Sequence, residues 1–383
     1  MKNNFTINAR TVEREFKRKV MKRGYFLTAN GYVNHVIDYN QTSIVVKTAS
    51  KGGVFEIERT KIRKAASYVF FKRTAIREEL EPYSNFTSAL FGVIQSIFRH
   101  ISRVQRLKYG LVRLILNGVR FYPSGAERDP KILRMISELG GKFVLFNYYS
   151  LNGSLKFLEY LDKYGLFALI DSGSFSLYQK KVKLNKQKEM QLELLSDSEE
   201  DELTLEGYAS FINKLKNHPR IIGFFPFDVV GDPVKTKEYY YKLKRLTKGK
   251  IFPIWQCTDS LDELDRLVSE EHEMIGIGGL VPYLSNRQNY VRDILDKVFS
   301  KFPNVPFHLL GFANEMVCQY PCFSSDSTAY LNARKSKKQR KVYLDNGYRV
   351  DAAKSMTTEE IIKQNLKFLL GLENCMKETQ FIC

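Results

Sequence analysis

Between residues 119 and 326 the chain presents eight short apolar runs separated by segments of helical period, and few folds can use such an alternation. The runs are 119–123, 143–149, 167–172, 221–228, 251–256, 274–279, 306–311 and 322–326. Between most of them lie amphipathic stretches, among them 129–139, 155–164, 205–216, 234–246, 261–271 and 286–302. Eight such runs alternating with helices predict an α/β fold of the (β/α)8 (TIM) barrel kind, whose site sits at the carboxyl ends of the strands. One stretch breaks the regularity: residues 180–202 are charged and end in SDSEEDE, which reads as a solvated loop or a lid.

Strand ends are therefore where chemistry is expected. In LFALIDSGSFSLY (166–178), Phe167 to Ile170 run without interruption into Asp171, the pattern of a buried parallel strand that delivers a carboxylate to its end. Taken alone, Asp171 or Ser172 could equally cap the next helix. The other ends carry related groups: Asp228 in FPFD, Gln256 in PIWQ, Gly278 and Gly279 in GIGGL, Gly311 in LLGF and Asp326 in FSSDS. In a barrel all of these face one mouth, where two carboxylates can serve as nucleophile and proton-transfer group at an anomeric carbon. A third acid, an amide and open glycine backbone can read the edge of a purine.

Charge divides the chain in a second way. Of a net +18, the first 110 residues carry +13, with 21 Lys and Arg against 8 Asp and Glu. Runs such as REFKRK (14–19) and KIRK (61–64), interleaved with aromatics, are the footprint of a phosphate-backbone binder, the alternative being a solvated basic surface. Here a helix pattern at 11–22 precedes β-like runs at 25–28, 32–37, 43–48 and 54–58 with turn residues between them. Helices are then expected at 60–79 and 87–116. The prediction is a small basic α+β nucleic-acid-binding domain at 1–105, followed by a catalytic barrel at 106–383. Tyr25, Tyr32, Phe55, Tyr68 and Phe70 either stack on bases or pack the core. Five scattered cysteines argue against a disulfide framework and for a reducing, cytoplasmic setting. The apolar stretch 86–98 is too short to span a bilayer, and no membrane association is expected.

The strand-end motifs, in this order, resemble those of the tRNA-guanine transglycosylase superfamily, and within it most the DpdA-type enzymes that put 7-deazaguanine bases into DNA. DSGSFS is similar to the family's DSGGFQ, Phe227-Asp228 to FDE, Trp255-Gln256 to VQG, Gly278-Gly279-Leu280 to GGL, Leu309-Leu310-Gly311 to LMG, and Ser325-Asp326-Ser327 to FDC. The match covers about 118–335. It implies that Asp326 is the nucleophile forming a covalent glycosyl intermediate, and that Asp171 is the general acid/base. Asp228 would read the base's N1–H and amine, Gln256 and the Gly279 backbone its carbonyl, and Phe175 and Leu310 would sandwich the ring. A free 7-deazaguanine base would be the co-substrate, with no cofactor required and with other modification-system proteins as further partners.

Two departures from the family shift the expected substrate. Ser174 and Ser176 replace the family's second Gly and its Gln. The three-cysteine, one-histidine zinc site after the nucleophile cannot be built, since only Cys375 and Cys383 and no histidine follow Asp326. Loss of that arm moves the expected substrate from tRNA to DNA. Cys318 and Cys322 read as a buried thiol pair, and the five histidines as structural or surface residues. Arg334, Lys335, Lys337, Lys338 and Arg340, in a run of six cations in eight residues, read as a backbone clamp or a solvated loop. A tRNA enzyme and a non-catalytic binding subunit are the alternatives. The retention of both acids counts against the latter.

Overall fold

The computed structural model describes residues 7–28, 30–48, 52–174 and 204–374, so Phe175, the loop 180–202, Cys375 and Cys383 lie outside the described residues. Two compact units are present, one running to Gly118 and taking in the stretch from Glu373, the other spanning Val119–Leu372. Among the described residues no helix is long and apolar enough to cross a membrane.

In the first unit the helix Ala9–Phe16 starts at Asn8, whose Oδ1 accepts from Thr11 N at 2.9 Å, and widens into a π turn over Lys17–Met21. Strands β1 (Tyr25–Leu27), β2 (Val33–Tyr39), β3 (Ser43–Thr48) and β4 (Val54–Glu58) form an antiparallel meander in that order. Helix Thr87–Phe98 packs on β1, and Gly92 is required at the crossing, because a Cβ there would strike the Leu27 carbonyl oxygen and lie 3.0 Å from the Phe26 ring. Phe55 stacks on Phe86, whereas Tyr25 and Tyr32 are exposed.

Both long helices expected here are shorter than the sequence predicts. The first ends at Lys72, because Arg73 turns left-handed (φ 70°) and gives its N–H to the Val69 carbonyl at 2.7 Å. Its guanidinium, 1% exposed, donates to the backbone carbonyls of Asn117 and, at 3.1 Å, Glu373. The second ends at Phe98. After these breaks come β5 (Thr74–Ile76), β6 (Ser102–Arg106) and β7 (Val112–Leu116), an antiparallel sheet in the order β5-β7-β6. Residues 112–116 (VRLIL) are all buried, Arg113 included, so this mostly apolar run, read as helix, is that of a central strand.

The second unit is a mixed α/β structure built on parallel strands. Their ranges are β8 (Arg120–Pro123), β9 (Phe143–Asn147), β10 (Phe167–Asp171), β11 (Ile221–Phe224), β12 (Ile254–Gln256), β13 (Ile275–Gly278), β14 (Phe307–Leu309) and β15 (Ser324–Ser327). They form a five-stranded sheet, β12-β13-β14-β15-β8, and a three-stranded one, β11-β10-β9. Single parallel bridges, Ser124 to Leu145 and Phe224 to Ile251, connect β8 toward β9 and β11 toward β12. Helices between the strands turn one apolar side inward. Leu264 and Leu267 of Leu261–Ser269, for example, join a core with Trp255 and Ile277. A short hairpin, β16 (Lys341–Tyr343) and β17 (Arg349–Asp351), precedes the helix Thr358–Gly371. That helix is opened by a reciprocal box in which Thr357 Oγ1 accepts from Glu360 N and Glu360 Oε2 from Thr357 N.

Candidate active site

The carboxyl ends of the parallel strands surround a cavity of about 300 Å³. Asp171, Asp228, Asp326, Gly279, Leu310 and Gly311 all line it, so residues from five separate stretches of sequence meet around one cavity, whereas Gln256 and Gly278 are not among its lining.

Asp171 closes β10, in register with Asn147 on β9. The chain then turns at Gly173 (φ 88°), where a Cβ would come within 2.6 Å of Tyr149 Cβ, so no larger residue fits the crossing. Gly173 N–H donates to Asp171 Oδ2 at 3.1 Å, while Ser172 and Ser174 bond each other through their hydroxyls at 2.9 Å. Burial pushes the Asp171 carboxyl up to about 7, with the Gly173 hydrogen bond acting against the shift and the charges of Asp326 and Asp228 adding to it.

Asp228 lies four residues beyond β11, on a turn held by Thr236, whose Oγ1 accepts from Val229 N at 3.0 Å. Burial raises its carboxyl to about 7, opposed by the hydrogen bond that Gln256 Nε2 donates to Oδ1. The same amide nitrogen reaches the Val229 carbonyl at 3.3 Å. Gln256 thus serves Asp228 directly, and its buried Oε1 has no hydrogen-bond partner. Glycines are needed on this side. A Cβ at Gly278 would sit 2.9 Å from both oxygens of Asp228, and Gly279 is left-handed (φ 77°) against the Gln256 amide.

Asp326, 6% exposed on β15, accepts from Gly311 N–H at 2.8 Å through Oδ1. The left-handed turn at Gly311 (φ 68°) aims that N–H, and Ser325 Oγ ties the same turn by donating to the Leu309 carbonyl at 3.1 Å.

Several residues at the site carried no motif. Asn147 lines the cavity, bonded through Nδ2 to Glu127 Oε1 at 2.9 Å and through Oδ1 to Ser150 N at 2.7 Å. Glu127 is 6% exposed, and burial raises its carboxyl above the usual range. His308, read as structural or surface, is wholly buried with Nε2 3.3 Å from Asp326 Oδ1. An amide and an acid at the ends of the first two strands, and a histidine two residues before LLGF's last Leu, were the available signals.

Cys318 is exposed and Cys322 buried, so the two are not a buried pair. Of the cation run, Arg334 pairs with Asp129 at 2.6 Å, Lys335 Nζ reaches Thr328 Oγ1 at 3.1 Å, and Arg340 binds the Met356 carbonyl. Lys338 is exposed.

In the first unit, Arg10, Arg14, Lys17, Arg18, Lys22 and Arg63 line an open groove of about 700 Å³ together with Ala9 and Glu13. Glu15 meets Arg18 at 2.8 Å and Lys19 at 3.2 Å, and Glu13 meets Arg63 at 3.4 Å.

No family model matches the chain, and no curated protein matches it. Among solved structures, a tryptophan synthase from M. tuberculosis, in an open form with BRD0059 bound, is similar at 7% identity and a TM-score of 0.38, over 67% of this chain and 94% of that one. A likeness of that size bears on neither the site nor the reaction, which rest on the residues and their geometry.

Proposed function

We propose that the second unit is a closed (β/α)8 barrel that exchanges guanine in DNA for a free 7-deazaguanine base. The two single bridges support closure, since they fall between the strands that end each sheet. The observation that carries the reaction is that Asp171, Asp228 and Asp326 line one cavity in environments that differ.

In this reading Asp326, with a backbone donor on Oδ1, attacks C1′ of an extruded deoxyguanosine. The Asp326–C1′ bond forms as the C1′–N9 bond breaks, and the electron pair leaves on the purine, which takes a proton from Asp171. The incoming base gives its N9 proton to Asp171 and attacks C1′, releasing Asp326. A carboxyl titrating near 7 is suited to both transfers. Asp228 reads N1–H and the exocyclic amine of the base, held in place by Gln256, while Leu310 flanks the ring. The basic groove on the first helix is the proposed contact for the phosphate backbone, with Lys338 and its neighbours as a second one.

The test is nucleoside mass spectrometry of DNA and tRNA from cells expressing the chain with and without its neighbouring genes. A 7-deazaguanine nucleoside in DNA is the expected result. The same nucleoside in tRNA alone would move the substrate to tRNA, and none in either would leave the non-catalytic subunit.

A further inference from the structure

The proposed chemistry leaves one polar side chain at the nucleophile without a task. His308 on β14 is wholly buried, with its ring 5.8 Å from that of Tyr122 and 5.0 Å from that of Phe225. Its Nδ1 lies 2.8 Å from Ser324 Oγ and its Nε2 3.3 Å from Asp326 Oδ1.

In a neutral ring, counting protons fixes the direction of both bonds. The Ser324 hydroxyl has one proton and two neighbours, Nδ1 and, at 3.4 Å, the Met274 sulfur. A thioether is the weaker acceptor, so the proton goes to Nδ1 and the ring proton sits on Nε2, aimed at Asp326. The opposite tautomer would set a nitrogen lone pair against a carboxylate oxygen. Gly311 N–H falls on the same oxygen, Oδ1, at 2.8 Å. Both donors thus fix one oxygen of Asp326 and leave Oδ2 as the atom that faces the sugar.

We infer that His308 is a positioning residue: with Ser324 selecting its tautomer, it pins Oδ1 of Asp326 and so chooses Oδ2 as the attacking and departing atom. The inference rests on the glycosyl-transfer reading above. In the forward step Oδ2 bonds to C1′ as the C1′–N9 bond breaks. In the return step the N–H on Oδ1 stabilises the carboxylate that is released, so both steps depend on the same donor.

The test uses the full chain, a guanine-containing DNA oligonucleotide, tRNA in parallel, and tritiated guanine as the exchanging base. His308→Phe keeps the ring volume and removes both nitrogens. His308→Gln restores an N–H close to the position of Nε2. The expected result is a 10- to 100-fold loss of kcat in the Phe variant with the KM for guanine unchanged, and partial recovery in the Gln variant. A Phe variant within twofold of the wild type, a loss confined to KM, or a Gln variant no better than Phe would overturn the assignment. If the Phe variant melts early, Ser324→Ala reports instead, since it spares the ring and frees the tautomer. A several-fold drop in kcat supports the inference, and an unchanged kcat removes it. Asp326→Ala separates the two levels. Exchange surviving in that variant would remove the glycosyl-transfer reading itself, whereas an inactive Asp326→Ala beside an unaffected His308→Phe removes only the role of His308.

Discussion

Glu15 in the first unit and Asp228 in the second are both acids withdrawn from water, and they end on opposite sides of their ordinary titration range. Burial alone would raise Glu15, but hydrogen bonds from Arg18 and Lys19 and the charges of both cations bring it below the usual carboxylate value. Asp228 is half-buried at the cavity with an amide as its partner, and loss of solvent pushes it up to about 7. A carboxylate beside lysine and arginine is settled as an anion and holds a helix together. One beside glycine backbone and an amide is kept near the balance between its two protonation states.

The largest effect expected from breaking this contrast is at Asp326. Replacement by Ala should lower exchange by about a thousandfold or more and abolish a trappable protein–DNA adduct, read on a denaturing gel. An adduct that persists would move the nucleophile to Asp171. Next comes base recognition: Asp228→Ala should weaken guanine binding by roughly a hundredfold in calorimetry, because a carboxylate facing two donors is lost. Equal affinity in the two proteins would remove Asp228 from the base-reading role.

The same acid-to-amide change should have opposite signs in the two units. A carboxyl raised from 3.8 to about 7 in the folded chain contributes stability while protonated, and loses it as pH rises through that window. Asp171→Asn and Asp228→Asn should therefore leave stability near pH 4 little changed and raise it at pH 8, by up to about 4 kcal/mol each, in urea melts. Exchange by the wild type should fall above pH 7 as Asp171 loses its proton. Glu15→Gln should instead cost about 1 kcal/mol at pH 7, since it removes the anion that Arg18 and Lys19 both meet. A gain at Glu15 or a loss at Asp228 would undo the comparison.

The smallest effect is the one confined to the groove. Arg10→Ala with Lys17→Ala should flatten the log–log salt dependence of DNA binding by roughly one unit for each phosphate contact removed, leaving guanine affinity unchanged. An unchanged slope would make the groove an ordinary basic surface.

Much of this was legible in the sequence because burial on both faces writes a strand as an uninterrupted apolar run. That is why strands such as β9, β10 and β13 were placed, and why Asp171 could be set at the end of β10; β15 (SSDS) is polar, and Asp228 lies four residues past β11. The same rule misled at 112–116, where an apolar run directly after β6 merged with the preceding helix pattern. Arg73 was illegible for another reason: a left-handed arginine looks like a helix residue until the carbonyls it serves are seen, and those lie far along the chain. His308 was passed over because its meaning lies in Ser324 and Asp326, which only the pairing of β14 with β15 brings beside it.

The reach of Arg73 has a practical consequence for anyone who wishes to take the protein apart. A fragment cut as one continuous piece ending at Gly118 keeps the Asn117 carbonyl but loses that of Glu373, to which the buried guanidinium donates at 3.1 Å. Dissection of this chain therefore calls for a circularly permuted or two-piece design that brings the segment from Glu373 back to the amino-terminal unit.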